Sequence, residues 1–229
     1  RDAFTLHPMI DRRFRDWPTA WRHCLVLVLV AAVLRSIGLG FGLPHAVARP
    51  DEETIVGNIL RLENVDDWNP KFFAYPSALI YGGYGGFKLL LWGMRFAGAT
   101  EAESMNALFI ENPAPFHLLL RIFSVVCGAL TVPAVYLAAR RLFGRRTALL
   151  AAIILCCSYL HVRDSHFGVT DVPCVFLVGL SFWQLAGYYQ AGKTRSLLWA
   201  SALAGLAIGT KYTAAWLCLP FAVAIGRNA

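Results

Sequence analysis

The sequence predicts an all-α, polytopic helical membrane protein with about six spans and juxtamembrane helices in a large first outer loop. Three observations predict it. Of 229 residues 57% are hydrophobic and 15% charged, whereas a soluble domain carries about a quarter charged residues. Mean hydropathy is +0.53, which excludes a disordered chain as well, since such chains lack apolar residues. Several runs also approach the roughly 20 apolar residues that a membrane-crossing helix needs.

Taken in order, residues 24–43 are broken only by Arg35 and Ser36, and residues 118–139 only by Arg121, Ser124 and Thr131. Shorter runs follow at 147–162, 172–189, 197–210 and 212–226. Residues 76–98 are diluted by Lys88, Arg95 and glycines, including the Gly82-Gly83 and Gly85-Gly86 pairs. No Gly-Lys-Ser/Thr follows those pairs, so they read as close-packing positions rather than a phosphate loop. The six cysteines (Cys24, Cys127, Cys156, Cys157, Cys174, Cys218) lack CxxC spacing and read as small buried hydrophobes. The first residue is Arg and the last follows an apolar run, which reads as a piece of a longer protein lacking its C-terminal remainder. No cleavable signal peptide is visible.

Charge sets an orientation. Arg140, Arg141, Arg145 and Arg146 fall in one short loop, and Lys193 and Arg195 in another. Residues 1–23 are net basic too, and positive loops belong in the cytoplasm. Residues 44–115 instead hold nine acids against five bases and belong outside. The expected organisation is a cytoplasmic basic segment 1–23, a first span 24–43, an outer loop 44–115 and five further spans in 116–229. Parity then keeps residues 76–98 on the outer side, as an interfacial or re-entrant helix, the alternative being a full span here and a re-entrant segment elsewhere. The net charge of +7 reflects this asymmetry and not a nucleic-acid partner.

With this topology, polar residues from separate segments gather at the outer face. Asp51, Glu52 and Glu53 follow the first span; Arg163, Asp164, His166 and Asp171 fill the next outer loop; Lys211 and Arg121 lie at outer helix ends. Ionisable groups at a membrane edge are expensive and therefore functional candidates. Each has a plainer reading. Arg49-Pro50 favours a helix starting near Asp51, where acids offset the N-terminal dipole, a role that suits Glu53. Asp171 precedes Val172-Pro173 and can cap the next helix. Lys211 can snorkel to the interface, and a lone His166 is weak evidence for a metal. Glu63, Asp66 and Asp67 read as solvent-facing, and Arg35 needs an Asp or Glu on a neighbouring element.

The ordered elements Leu34-Arg35, Arg49-Pro50-Asp51-Glu52, Phe73-Ala74-Tyr75-Pro76, Leu120-Arg121, Tyr136 to Gly144, Asp164-Ser165-His166 with Thr170-Asp171, and Gly205 to Tyr212 resemble the GT-C membrane glycosyltransferases. The nearest group is glycosyltransferase family 39, with its protein O-mannosyltransferases and lipid A aminoarabinose transferases. The resemblance implies a GT-C-like fold and a polyprenyl-phosphate-linked sugar donor. It also implies a protein, lipid or glycan acceptor on the outer or lumenal side. Asp51 and Glu52 match the first-loop acidic pair, with Asp51 as general base of an inverting transfer. Asp171, His166, Arg163, Lys211, Arg121 and Tyr75 fall at substrate-binding positions. The family's Lys-Pro-Pro-Leu-like element is replaced by Tyr75-Pro76-Ser77-Ala78, with Lys71 nearby. A divalent metal between Asp51 and Asp171 is chemically possible; no cofactor or metal is expected. The expected setting is a bacterial or archaeal inner membrane, and the competing readings are a transporter or flippase and a non-catalytic subunit. The topology is tested by cysteine accessibility: a cysteine at position 66 should label from outside and one at 145 from inside, and the reverse pattern would overturn it.

Overall fold

The computed structural model describes residues 17–44, 49–64 and 68–228, and every regular element among them is helical. A bundle is built from α1 (Trp17–Ser36), α5 (Ala114–Phe143), α6 (Arg145–Cys157), α8 (Asp171–Ala191), α9 (Thr194–Thr210) and α10 (Cys218–Asn228). A second layer consists of α2 (Pro50–Arg61), α3 (Ala78–Phe96) and α4 (Met105–Glu111), with the short α7 (Tyr159–Asp164) joining α6 to α8. By length and composition, Ala114–Phe143 and Asp171–Ala191 can cross a membrane. Beyond Arg22, the large side chains exposed along α1, among them Leu25, Leu29 and Val33, are apolar, as a lipid-facing surface requires.

The bundle closes through small residues. Ala20, Ala31, Ala129, Ala148 and Ala152 are buried where α1, α5 and α6 meet. Gly179 of α8 lies against Thr131 and Ala134 of α5, and Ser181 Oγ donates to the Ala200 carbonyl at 2.9 Å. Such positions let helix backbones approach where lipid removes the hydrophobic drive to associate. Gly144, at φ 90°, is the single residue between α5 and α6.

The helices depart from the apolar runs in three places. The first ends at Ser36, because Gly38 and Gly42 take positive φ and residues 37–44 form turns. The run 147–162 breaks at Ser158, whose ψ of 115° is extended. The last run begins as a 3₁₀ turn, Tyr212–Leu217, before α10, and Pro220 is accommodated in the first turn of that helix.

The layer α2–α4 has its own core, including Ile55, Ile59, Ile80, Phe87, Met105 and Leu108, and it packs on Phe116 and Leu120 at the start of α5. Burying each such side chain contributes roughly 1.5–3 kcal/mol relative to exposure in water, so residues 49–111 are a packed layer and not a slack loop. Gly83 meets Leu120, Gly86 meets Leu119 and Phe87 stacks edge-on against Phe116 at 4.7 Å. As α3 advances its contacts retreat along α5, so α3 leaves past the end of the bundle. Of the four glycines, Gly83 closes against Ile59 and Gly86 against Leu119, whereas a side chain at Gly82 or Gly85 would meet open space.

Two expectations are corrected. Cys157 and Cys218 are exposed, and only the other four cysteines are buried. Glu63 does not face solvent: its carboxylate accepts from Lys88 Nζ at 2.6 Å and from the backbone amides of Met105 and Asn106 at 3.1 and 3.0 Å. It therefore satisfies the open N–H groups at the start of α4, a task the sequence hid because the partners stand 42 positions apart. Asp66, Asp67 and residues 1–16 lie outside the described residues.

Burial pushes the Glu63 carboxyl up, but the Lys88 hydrogen bond and the Asn106 and Met105 amides hold it below the ordinary carboxylate value. A depressed folded pKa contributes stability above the unfolded pKa, which is lost as pH falls through the folded one. Melting temperature should therefore drop as pH falls below about 4.5, and Glu63→Gln should melt lower at neutral pH with a flatter acid limb. A mutant with an unchanged acid limb would remove Glu63 from this role.

Candidate functional site

A buried ion pair organises the end of the bundle that meets the layer. Glu52, in the first turn of α2, and Arg121, in the second turn of α5, are 1% and 2% exposed. Arg121 Nη2 and Nε donate to Glu52 at 2.7 and 2.9 Å, and Nη1 donates to the carbonyls of Leu39 and Phe41 at 2.9 and 2.7 Å. The Gly168 amide donates to Glu52 Oε1 at 2.6 Å. A side chain at 168 would collide with Leu120, so glycine is what lets this amide reach the carboxylate. One pair thus fastens the turns after α1, the start of α2, the start of α5 and the loop before α8.

Around this joint lie the other expected site residues. Asp51 is exposed at the start of α2, and its side chain makes no hydrogen bond to any described residue. Arg49, two residues earlier, stacks on Phe167 at 4.1 Å. Asp171, at the start of α8, accepts from Lys211 Nζ at 2.5 Å, with the aspartate side chain 49% exposed and the lysine 27%. The Tyr75 ring centre is 5.9 Å from the same ammonium. Tyr75, Asp171 and Lys211 therefore form one cluster from three distant segments. His166 places Nε2 2.7 Å from the Ile37 carbonyl and Nδ1 2.8 Å from that of Val162, which pins its loop to the end of α1. Arg163 is exposed and pairs with its neighbour Asp164 at 2.8 Å, apart from the Lys211 cluster. No group of three His, Cys, Asp or Glu side chains able to hold a metal occurs among the described residues.

Beside the Asp171–Lys211 pair opens a cavity of about 380 Å³ between α3, α5, α8 and α9. Its walls are almost wholly apolar, including Leu79, Leu120, Phe123, Phe176 and Leu206, and its α3 wall is lowered by Gly82 and Gly86. Thr210, next to Lys211 in the chain, and Pro173, two residues after Asp171, line it. The arrangement is an apolar trough with an ionic pair at its rim.

Arg35 is fully buried, and the expected carboxylate partner is absent among the described residues. Its guanidinium donates to the carbonyls of Cys156 and Leu155 at 3.3 and 3.4 Å and lies 2.9 Å from His161 Nδ1. These carbonyls end α6 at the break before Ser158, where a cation complements the negative helix end. Sequence reasoning missed Gly168 and His161, and also His117, which is 1% exposed with both ring nitrogens unpartnered. His117 had one signal: it stands four residues before Arg121, on the same helix face.

With this geometry in place, likenesses to known proteins can be read against it. Residues 116–226 match the family described as dolichyl-phosphate-mannose-protein mannosyltransferase. The likeness to the GT-C glycosyltransferases is thereby shown. An undecaprenyl phosphate-alpha-4-amino-4-deoxy-L-arabinose arabinosyl transferase of Pseudomonas aeruginosa is 40% identical over 111 residues, 46% of this chain and 20% of the relative. A dolichyl-phosphate-mannose–protein mannosyltransferase of Candida albicans is 25% identical over 142 residues, 58% of this chain and 19% of the relative. An uncharacterised Aquifex aeolicus protein is 34% identical over 97 residues, 42% of this chain and 19% of its own length. The chain spans about a fifth of the length of these curated relatives. No solved structure matches it at a significant level. The family match contains Arg121, Arg163, His166, Asp171 and Lys211, whereas Asp51, Glu52 and Tyr75 precede it.

Removing one partner from a buried ion pair leaves an uncompensated charge and costs roughly 3–5 kcal/mol. Glu52→Gln should lower the melting temperature of the purified protein accordingly, and the apolar double replacement Glu52→Leu with Arg121→Met should recover much of the loss. A Glu52→Gln protein that melts like the wild type would show that the pair is not the joint.

Proposed function

We propose that the chain is part of a membrane glycosyltransferase that moves a sugar from a polyprenyl-phosphate donor to an acceptor hydroxyl at the membrane edge. The observation that carries this reading is the apolar trough ending at the Asp171–Lys211 pair, which suits a ligand with a long hydrocarbon tail and an anionic head. The relatives' names, with their dolichyl and undecaprenyl phosphates, supply the chemical class of donor.

In this reading the tail occupies the trough and the phosphate exchanges places with the Asp171 carboxylate at Lys211. A cation there, at a water-poor edge, stabilises negative charge that grows on the phosphate as the sugar leaves. Asp51, unpaired and exposed, takes the proton of the acceptor hydroxyl while its oxygen bonds to the anomeric carbon. The carbon–oxygen bond to phosphate breaks from the opposite side, giving inversion and a polyprenyl monophosphate. Glu52 and Arg121 hold the segment that carries Asp51, and Asp171, once released, is placed to bind sugar hydroxyls beside Tyr75. Arg163 and His166 border the same loop. No metal-dependent step is proposed. The site faces the outside of a bacterial or archaeal inner membrane in the orientation that the basic loops favour.

A positioned general base contributes about 10²–10⁴-fold, so Asp51→Asn should lower turnover by that factor with donor binding intact. Lys211→Ala should weaken binding of the lipid phosphate by roughly 10–100-fold, the range for hydrogen bonds to charged groups. Gly82→Phe, directed at open space in the trough, should weaken long-chain donors more than short-chain ones. Full activity in Asp51→Asn would refute the base role. Lipid-phosphate binding with no sugar release from any labelled donor would favour a carrier.

A further inference from the structure

Among the described residues, the opposite end of the bundle carries charge of a single sign. Arg145 Nη2 lies 3.5 Å from His23 Nε2, and His23 Nδ1 lies 2.9 Å from the Tyr136 hydroxyl, which brings the first turns of α1 and α6 beside the end of α5. Arg141 donates to the Trp183 carbonyl at 2.6 Å, and the Gln190 amide returns a hydrogen bond to the Arg141 carbonyl, joining α5 to the end of α8. Asn228 Nδ2 donates to the Tyr188 carbonyl at 3.3 Å, and the Arg227 guanidinium stacks on Tyr189 at 4.1 Å, which adds the end of α10. Arg22, Arg145, Arg146, Lys193, Arg195 and Arg227 are all exposed on the surface so assembled.

None of these six cations has an ion-pair partner among the described residues. The described carboxylates lie elsewhere: residues 51–53 and 63 in the layer, 101, 103 and 111 after α3, and Asp164 and Asp171 at the site end. The first turns of α6 and α9, which open on this surface, contain no acid and no capping side chain. Their free N–H groups add to the positive potential. Large apolar side chains stand exposed in the same segments, Trp21, Phe143, Leu198 and Trp199. Indole rings settle at the headgroup level of a bilayer. A nucleic acid or an acidic soluble protein would match the charge but not these apolar side chains.

We propose that this end of the bundle is a binding surface for anionic phospholipid headgroups, with the exposed aromatic side chains seated in the interface and the six cations paired to lipid phosphates. The charge would then fix the depth and tilt of the bundle as well as its orientation, since basic residues at the surface each attract anionic lipid appreciably. The inference requires that the bundle sits in a membrane and does not depend on glycosyl transfer.

The test uses the full chain in lipid nanodiscs, with phosphatidylglycerol and phosphatidylcholine compared by native mass spectrometry and by melting temperature. Phosphatidylglycerol should be retained roughly ten-fold more strongly, and high salt should abolish the difference. The variant R145Q/R146Q/K193Q/R195Q should lose the preference, while the charge-keeping R145K/R146K/K193R/R195K should keep it. Should the first variant fail to fold, the salt dependence of the wild type and the second variant still decide. Equal retention of the two lipids, a preference unchanged in the neutral variant, or competition by inorganic phosphate as strong as by phosphatidylglycerol would each overturn the proposal.

Discussion

Glu52 and Arg121 hold together parts of the chain that nothing else joins so closely. Their pairing is buried, and backbone groups add to it: the Leu39 and Phe41 carbonyls accept from Arg121 and the Gly168 amide donates to Glu52. A charged pair in a poorly polarisable setting is stable only under that condition, since desolvation otherwise outweighs the attraction. The condition also fixes geometry: with five hydrogen bonds to satisfy, the starts of α2 and α5 and the loop before α8 have one mutual arrangement.

That arrangement places the polar groups with exposure left to use around a rigid centre. Asp51 has no described partner, Asp171 and Lys211 share a single contact at the rim of an apolar trough, and Tyr75 approaches the same lysine from the layer. The centre is dry and saturated, the periphery wet and unsaturated. In the proposed function the ligand chemistry therefore falls to the periphery, and the buried pair supplies the positions.

Much of this was legible in the sequence, because apolar runs and charge asymmetry report on burial directly. The helix order and the gathering of Asp51, Asp171 and Lys211 at one end follow from them. What sequence did not reveal depends on backbone groups, which carry no letter. Glu63 finds its partners at the N–H groups of Met105 and Asn106, and Arg35 finds carbonyls at a helix end that neither glycine nor proline marks. Gly168 looked like any loop glycine; its worth lies in the absence of a side chain against Leu120. Glu52 and Asp51 are adjacent and chemically alike, yet a helix turns them about 100° apart, so one is sealed inside and the other faces out.

The buried guanidinium of α1 has a temporal consequence. Arg35 is settled by the carbonyls of Leu155 and Cys156, made 120 and 121 residues later in the chain. Throughout that interval of synthesis the first helix holds a cation with nothing to neutralise it. Such a helix is a poor resident of lipid by itself and a good one beside α6. Its final seating is thus a late event, gated by the emergence of the segment that ends at Ser158. Of these two helices, the one made earlier comes to rest only with the one made later.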